Sequence, residues 1–286
     1  MNRLFITSGL VLASFLSGQA QSCCIKKAKC DGLVAFASDK AFKDAHLAPE
    51  PLDYKAESGK MITYNTPDGK TANAFQVKSV SKTNKVVYVF HEWWGLNDYI
   101  KRETEALQKE LGNVDVYALD LYDGKIASSP DSAGKYMMGM KPERAASIIK
   151  GLVSLTSKNE LSVPTEIATI GWCMGGSWSF QASLLAGSDV KACVMYYGFP
   201  EKDVEKLKGL KTEVLYIQAL QDGFISKEDV TTFLGQLKSA DKKVTLKQYE
   251  AVHAFANPSN PEYDKVASAD AKSVSMAFIR KGLRIK

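Results

Sequence analysis

The sequence predicts an α/β protein with a mostly parallel central sheet and helices on both faces. Two observations support this class. Short runs rich in β-branched and aromatic residues alternate with longer segments whose apolar residues recur every three or four positions. The short runs are apolar at nearly every position, as expected for parallel strands that are buried on both faces. The composition, 45% hydrophobic and 24% charged over 286 residues, is that of an ordinary globular protein.

The predicted elements begin with a hairpin. Its strands, MITYN (61–65) and NAFQVKSV (73–80), flank a Pro-Asp-Gly turn. The strands predicted after it are KVVYVFHE (85–92), VDVYALDLY (114–122), EIATIGWC (166–173), KACVMYYG (191–198), TEVLYIQAL (212–220) and KVTLKQYE (243–250). The helices predicted between and after them include DYIKRETEALQKELG (98–112), KPERAASIIKGLVSLTSK (141–158), SKEDVTTFLGQLKSA (226–240) and SADAKSVSMAFIRKGL (268–283).

The first 20 residues have the features of a secretory signal peptide. Arg3 precedes an apolar run over 4–16, and small residues precede a cut before Gln21. The run is too short to span a bilayer, and no later segment approaches ~18 uninterrupted apolar residues. We therefore predict export to the periplasm or beyond it, with no stable membrane insertion after cleavage. The alternatives are an uncleaved anchor and, less favoured, a lipoprotein acylated at Cys23.

The rest of the chain is predicted to form one main domain with an extension before it. Residues 21–55 are loosely helical, end in prolines and are expected to lie against the domain formed by 56–286. The formal net charge of +5 is spread along the chain without a basic stripe, so nucleic acid is not an expected partner. We expect a monomer that acts on a small molecule.

The five cysteines fall into three groups. Cys23, Cys24 and Cys30 cluster after the predicted cut, where one disulfide with an odd thiol left over is consistent with an oxidising compartment. Their spacing is not that of a zinc site, and we predict neither a metal nor another cofactor. Cys193 is expected to be a buried strand thiol. Cys173 belongs to neither group.

Cys173 lies in GWCMGG, directly after a predicted strand and before a segment with helical spacing. Gly171 and Gly175 lie two residues to either side of it. This is the strand–turn–helix form of a nucleophile elbow, in which close approach of the flanking residues excludes side chains. The motif alone is only moderately specific, and its position between strand and helix strengthens it. The elbow predicts a nucleophilic cysteine at the amino end of a helix, where the dipole favours negative charge.

A nucleophile of this kind needs a base and an acid that orients the base. In proteins with a nucleophile elbow both residues follow the nucleophile in the chain, the acid first and the histidine after it. His253 is the histidine that follows Cys173, in a predicted loop between the last strand and the last helix. Asp222 directly follows a predicted strand, where a loop can present it to His253. Taken alone His253 could be a surface-loop histidine, but the joint placement of the three residues at strand ends favours a catalytic triad.

The chain resembles the dienelactone hydrolase family of α/β hydrolases over about residues 60–286. The resemblance lies in GWCMGG, ALQDGFIS, VHAFANP and HEWWGLNDYI. It implies an α/β-hydrolase fold with Cys173 as nucleophile, His253 as base and Asp222 as its orienter. It further implies that Glu92 contacts the resting thiol and helps to convert it to thiolate, and that the backbone N–H groups of Met174 and Trp93 form an oxyanion hole. The match of DLYDGK to a family turn implies that Tyr122 lies at the pocket rim.

The Glu92 assignment also has support from the residues themselves. A carboxylate at the end of a buried strand is unfavourable unless it is paired or lines a cleft. The alternative is a salt bridge to a lysine or arginine. His91 lies on the opposite face of the strand and is expected to be structural. Ser177 and Ser179 lack the flanking glycines and are expected to be helix residues.

The sequence leaves open whether the substrate carries a free carboxylate, as a dienelactone does. The loop after His253 contains no arginine, and Lys125 and Lys135 do not replace bidentate recognition of a carboxylate. Trp94 and Trp172, together with Trp93, indicate an apolar or aromatic acyl pocket, the alternative being core packing. We predict a hydrolase of carboxylic esters or lactones; the alternative is an exported, non-catalytic binding protein that keeps the fold.

Overall fold

The computed structural model describes residues 36–286, which contain an eight-stranded sheet. Its strands are β1 (Gly59–Asn65), β2 (Thr71–Val77), β3 (Lys85–Phe90), β4 (Asp115–Leu119), β5 (Glu166–Trp172), β6 (Val190–Tyr196), β7 (Val214–Ala219) and β8 (Val244–Tyr249). Their order across the sheet is β1-β2-β4-β3-β5-β6-β7-β8. β1 and β2 form the predicted antiparallel hairpin, β2 also pairs antiparallel with β4, and the other neighbours are parallel. The predicted mostly parallel sheet is confirmed.

The helices of the described residues are α1 (Lys40–Asp44), α2 (Asp98–Leu111), α3 (Pro130–Gly139), α4 (Pro142–Thr156), α5 (Met174–Ala186), α6 (Val204–Gly209), α7 (Lys227–Ser239) and α8 (Lys265–Leu283). Side-chain caps fix several of their starts: Asn97 caps α2 and Asp264 caps α8. α1 lies within the segment predicted to be loosely helical, whereas the short helices α3 and α6 were not predicted. α3 begins with a capping box between Ser129 and Ser132, but two glycines weaken its helical pattern.

Helices cover both faces of the sheet, as predicted. Thr169 of β5 accepts a hydrogen bond from Ser179 of α5 on one face. Tyr196 of β6 shares a hydrogen bond with Ser275 of α8 on the other, at 2.8 Å. Cys193 lies within β6 and is fully buried beside Ser179, as expected for a strand thiol. The carboxyl ends of the parallel strands therefore meet at one edge, where functional loops of such sheets gather.

The described part of the N-terminal extension crosses this edge. Phe42 of α1 is fully buried and packs edge-on against Trp93, with ring centroids 5.0 Å apart. Lys43 donates to Asp131 of α3 at 2.8 Å. Residues 36–47 thus lie over the loops that leave the strands.

Two sequence predictions fall on residues outside this description. The signal peptide (1–20) and the cluster of Cys23, Cys24 and Cys30 both precede residue 36. Within residues 36–286, no helix is long and apolar enough to cross a membrane.

Candidate active site

The turn at Cys173 joins β5 to α5 in a strained backbone conformation. Cys173 has φ 55° and ψ −121°, a combination that residues with a side chain rarely adopt. A Cβ atom on Gly171 would lie 2.1 Å from the carbonyl oxygen of Gly175, and one on Gly175 would lie 2.2 Å from that of Phe90. The two glycines are therefore required by close backbone contacts on both sides of the cysteine.

The Cys173 thiol is enclosed at the amino end of α5. The residue is 1% exposed, and its backbone N–H donates to the carbonyl oxygen of Tyr196 at 3.0 Å. Burial raises the pKa of the Cys173 thiol; His253 and the backbone N–H of Met174 act in the opposite direction, while the charge of Glu92 adds to the rise. Burial and Glu92 thus favour the protonated thiol, whereas His253 and Met174 favour the thiolate.

His253 and Asp222 form a buried pair at the ends of β8 and β7. Nδ1 of His253 lies 2.7 Å from Oδ2 of Asp222, and both side chains are almost completely buried. The other carboxylate oxygen of Asp222 accepts the backbone N–H groups of Phe224 at 2.8 Å and Ile225 at 3.0 Å. Asp222 is therefore held from both sides.

The electrostatics of this pair set the tautomer of His253. Burial is the largest influence on Asp222 and opposes its charge, but the attraction of His253 and the hydrogen bonds from His253, Ile225 and Phe224 together outweigh it and lower the pKa of the carboxyl group. Burial likewise opposes protonation of His253, but Asp222 and Cys173, through charge and hydrogen bonding, together raise the pKa of the imidazole to about 10. A carboxylate can only accept, so Nδ1 of His253 donates to Asp222, and Nε2 is the nitrogen left to exchange a proton with another group. A ring nitrogen of His253 lies within 4.8 Å of the Cys173 sulfur, and Nε2 is the one available.

Glu92 lies just beyond β3 and is 7% exposed. One of its carboxylate oxygens accepts a hydrogen bond from the side-chain amide of Asn257, and the other has no hydrogen-bond partner. Burial raises the pKa of Glu92 to about 7, against the opposing effects of His253 and Asn257. Glu92 thus contacts a neutral amide and not a lysine or arginine. The second oxygen of its carboxylate remains unpaired beside the thiol.

The two residues predicted to form an oxyanion hole directly follow Cys173 and Glu92 in the chain. Met174 is the first residue of α5, and its backbone N–H lowers the pKa of the Cys173 thiol. The side chain of Trp93 is fully buried between Phe42 and Trp94. The Met174 N–H therefore acts on the thiol, while the place of the Trp93 N–H in the site stays a prediction.

The predicted substrate-binding residues separate into two places. Trp94 and Trp172 line a cavity of about 340 Å³, together with Glu92 and Asn257. Tyr122 does not line it; its hydroxyl donates to the sulfur of Met174 at 3.3 Å. Cys173 does not line this cavity either, so Glu92 lies between the cavity and the thiol environment.

Residues that the sequence assigned to structure make structural contacts. Nε2 of His91 accepts the backbone N–H of Leu121 at 3.2 Å, and its Nδ1 donates to the carbonyl oxygen of Glu92 at 2.6 Å. Ser177 donates to the carbonyl oxygen of Phe199, and Ser179 donates to that of Val194. These groups tie neighbouring strand ends and α5 together.

Two side chains near the thiol were missed by sequence reasoning. His46 follows α1 and is 6% exposed, with its ring 5.4 Å from that of His253. Tyr197 follows β6 with its ring 5.0 Å from His253. A signal existed for Tyr197, because it directly follows an apolar strand. His46 precedes the predicted nucleophile, and nothing in its local sequence indicates where its segment packs.

Five buried side-chain polar atoms of residues 36–286 have no hydrogen-bond partner. They are His46 Nε2, Glu92 Oε1, Trp93 Nε1, Tyr197 OH and His253 Nε2. Buried polar atoms are normally paired, and exceptions concentrate where a protein binds something. All five belong to residues around Cys173, so their clustering identifies the surroundings of this cysteine as the candidate active site.

A parallel sheet with a strained nucleophile turn between a central strand and a helix defines an α/β-hydrolase fold. The sequence profile of the dienelactone hydrolase family matches residues 72–283. The chain belongs to the dienelactone hydrolase family and is a hydrolase of the class that acts on esters or lactones.

Relatives support this membership. The chain is 29% identical to Protein usf of Aquifex pyrophilus over 69% of its own length and 88% of that protein's. It is 21% identical to Carboxymethylenebutenolidase 1 of Cupriavidus pinatubonensis over 76% of its own length and 95% of that protein's.

Solved structures share the fold. A dienelactone hydrolase-like promiscuous phosphotriesterase from metagenomic libraries superposes with a TM-score of 0.68 at 19% identity, covering 79% of this chain and 99% of that one. A cold-adapted esterase from an Arctic intertidal metagenomic library superposes with a TM-score of 0.57 at 14% identity, covering 79% and 99%. At these identities the likeness concerns the fold alone.

Proposed function

We propose that the chain hydrolyses carboxylic esters or lactones through an acyl-enzyme on Cys173, with His253 as general base and Asp222 as its orienting carboxylate. The observation that carries the proposal is the buried arrangement at three strand ends, in which Asp222 pairs with His253 and a ring nitrogen of His253 lies within 4.8 Å of the Cys173 sulfur. The strain at Cys173 adds support, because strained backbone concentrates at functional positions.

In the first half of the reaction, the thiol proton passes to Nε2 of His253 while the sulfur bonds to the substrate carbonyl carbon. The tetrahedral intermediate then loses its alkoxy group, and His253 returns the proton to the leaving oxygen. The product is a thioester on Cys173. Asp222 holds Nδ1–H throughout and stabilises the imidazolium that forms.

In the second half, a water molecule gives a proton to His253 and its oxygen bonds to the thioester carbon. The carbon–sulfur bond breaks, and the sulfur recovers the proton from His253. In both halves the carbonyl oxygen becomes negative, and we assign its stabilisation to the backbone N–H groups of Met174 and Trp93. Donors placed in advance at such an oxygen contribute about 3–4 kcal/mol in a well-studied protease.

Glu92 is proposed to govern the charge of the thiol. Its negative charge opposes thiolate formation as long as the carboxylate stays beside Cys173. A substrate that enters from the cavity meets Glu92 before it meets the sulfur, because Glu92 lines the cavity and Cys173 does not. Displacement of Glu92 by the substrate would favour thiolate at the moment it is needed.

The cavity indicates an acyl group with apolar or aromatic character. Trp94 and Trp172 supply flat apolar walls, and a volume of about 340 Å³ is at the small end of ligand pockets. Asn257 occupies the loop after His253, where no arginine is present to hold a free carboxylate. Aryl or alkyl esters and lactones are the proposed substrates, and Arg102, Lys265 and Lys272, which also line the cavity, supply the cations there.

The test is release of nitrophenolate from p-nitrophenyl acetate, followed by a panel of neutral lactones and thioesters. Wild-type protein is expected to turn over repeatedly, and Cys173→Ala to fall to background. Ser177→Ala is the matched control, since this serine lies one helical turn away and donates to a backbone carbonyl. Activity retained in Cys173→Ala but lost in Ser177→Ala would refute the nucleophile assignment.

The alternative of a non-catalytic binding protein predicts no turnover on any of these substrates. It also predicts that Cys173→Ala leaves ligand affinity intact. The same substrate panel therefore separates the two functions.

A further inference from the structure

His46 brings a second imidazole to the proposed nucleophile. It lies before residues 72–283, the part of the chain that matches the family, so the family match does not include it. A ring nitrogen of His46, one of His253 and the sulfur of Cys173 all lie within 4.8 Å of one another. All three residues are buried.

The hydrogen bonding of His46 determines which nitrogen faces the site. Nδ1 lies 2.6 Å from the carbonyl oxygen of Phe42, which can only accept, so Nδ1 carries the proton. Nε2 therefore presents a lone pair, and it has no partner. Burial and then the charge of His253 lower the pKa of His46 to about 3. His46 thus stays neutral while its neighbour gains and loses a proton.

The segment around His46 is held in place. Phe42 packs edge-on against Trp93 and Phe224, with centroids 5.0 Å and 4.8 Å away. Lys43 pairs with Asp131. The imidazole therefore has a fixed position whenever residues 36–47 are docked.

Acylation of Cys173 leaves two hydrogen-bond acceptors without a donor. The thiol hydrogen is gone, and once the leaving group has taken its proton, Nε2 of His253 also presents a lone pair. A water molecule has two O–H groups. With hydrogen bonds of ~2.9 Å and its tetrahedral angle, it bridges two nitrogens about 4.6 Å apart. That separation is compatible with the limit of 4.8 Å between these atoms.

We propose that His46 is a further catalytic residue that orients the water for hydrolysis of the acyl-enzyme. The water donates one hydrogen bond to Nε2 of His46 and the other to Nε2 of His253. Its oxygen then faces the third corner of the triangle, where the acyl carbon is attached to Cys173. The proton goes to His253, the carbon–sulfur bond breaks, and His46 neither gains nor loses a proton. The inference rests on the proposed acyl-enzyme and deepens it.

The experiment compares His46→Leu with His46→Gln in the full chain. Leucine fills similar space without an acceptor, whereas glutamine carries an amide oxygen near the position of Nε2. Leu47→Ala, at a side chain that is 56% exposed, is the matched control in the same segment. Rapid mixing with p-nitrophenyl acetate measures the first turnover and the steady state separately. EDTA is present throughout, so that metal bound by the same three donors cannot contribute. Circular dichroism and thermal unfolding check that each variant is folded.

His46→Leu is expected to form the acyl-enzyme at nearly the wild-type rate but to hydrolyse it at least ~tenfold more slowly, because the water is no longer oriented. Nitrophenolate is then released in a burst approaching one per chain, and mass spectrometry finds an acetyl group on Cys173. His46→Gln is expected to recover much of the steady-state rate, and Leu47→Ala to match wild type. Added hydroxylamine, a stronger nucleophile, is expected to restore turnover in His46→Leu.

Three results would overturn the role of His46 while leaving the proposed function intact. The first is an unchanged steady-state rate in His46→Leu. The second is an equal fall in both phases of His46→Leu with no acetylated enzyme in that variant. The third is a steady-state rate in His46→Gln no higher than that in His46→Leu. If Cys173 is acetylated in neither wild type nor any variant, the acyl-enzyme proposal fails and this inference fails with it.

Discussion

Gly175 packs directly against Phe90: a Cβ atom at position 175 would lie 2.2 Å from the Phe90 carbonyl oxygen. The first turn of α5 therefore approaches the end of β3 more closely than any side chain would permit. This contact joins the element that carries Cys173 to the strand that leads into Glu92. The relative position of thiol and carboxylate consequently depends on the absence of a single methyl group.

Gly175→Ala should therefore both destabilise the protein and reduce esterase activity. The nearby atoms are backbone and cannot rotate away, and overpacking of this kind typically costs about 1–3 kcal/mol. Gly235→Ala is the control, since position 235 lies within α7 with no atom within 4 Å of an added Cβ. There alanine should stabilise by up to about 1 kcal/mol through helix propensity. Urea denaturation measures the change in the free energy of unfolding for both variants. Similar changes at positions 175 and 235 would contradict the packing argument.

The sequence predicted the parts of the site that local pattern determines. The apolar runs that became β3, β5 and β7 are legible because each is short, continuous and followed by a change of pattern, and β8 is legible as a short run with β-branched and aromatic residues. Cys173, Asp222 and His253 could be selected because each follows such a run or the loop beyond it. The spacing of Gly171 and Gly175 reflects a contact within five residues, which sequence records directly.

What sequence could not show depends on docking over long distances. His46 reaches Cys173 because Phe42 fills an aromatic pocket formed by Trp93 and Phe224, and no local pattern records that contact. Tyr122, expected at a pocket rim, contacts Met174 next to the thiol, whereas the cavity lies on the side of Trp94 and Trp172. The position of a cavity depends on how helices pack, which is a property of the whole fold.

Asp222→Asn should leave the protein folded but slow both halves of the reaction. Asparagine can donate to Nδ1 of His253 and so favours the tautomer with its proton on Nε2, the wrong nitrogen for a base. In a serine protease the equivalent change costs about 10⁴ in rate. A smaller loss is expected here, because a thiol ionises more readily than a hydroxyl. Steady-state kinetics should order the rates as wild type, then Asp222→Asn, then His253→Ala and Cys173→Ala together.

The effects of His253→Ala and Cys173→Ala on the rate should not be additive. Members of one catalytic unit fail together, so His253→Ala combined with Cys173→Ala should be no slower than Cys173→Ala alone. An Asp222→Asn variant with wild-type rate would show that His253 does not act through this carboxylate.

Export predicts a shorter mature chain. If the signal peptide is cleaved after Ala20, protein recovered from the exported fraction of the native host begins at Gln21. N-terminal sequencing or intact mass measures this directly. Replacing Leu10 by Arg within the apolar run should block processing, because a charge disrupts the h-region. A mature protein that still begins at Met1 would contradict the prediction, and a lipid on Cys23 would favour the lipoprotein alternative.

Glu92→Gln should stabilise the protein increasingly as the pH rises. Burial raises the pKa of Glu92 from 4.5 to about 7. A carboxyl group with a higher pKa in the folded state binds protons more readily when folded, so its contribution to stability is lost as the pH rises from 4.5 through 7. Glutamine has no charge to bury and can still accept from Asn257. The free energy of unfolding of the variant, relative to wild type, should therefore increase by up to about 3 kcal/mol between pH 4.5 and pH 8.

Urea denaturation at the two pH values measures the free energy of unfolding of wild type and of Glu92→Gln. Subtracting one value from the other at each pH cancels the contributions of the other titrating groups, which the two proteins share. The variant should also hydrolyse ester more slowly than wild type without losing turnover, because the Glu92 carboxylate is expected to help convert the thiol to thiolate when substrate binds and a neutral amide cannot take that part. Greater stability at pH 8 together with slower turnover is the expected pairing, because the carboxylate is unfavourable to the fold and useful to the reaction. A stability difference that does not change with pH would mean that Glu92 is already ionised in the folded protein near its ordinary pKa, and that its unpaired oxygen is solvated by water within the site.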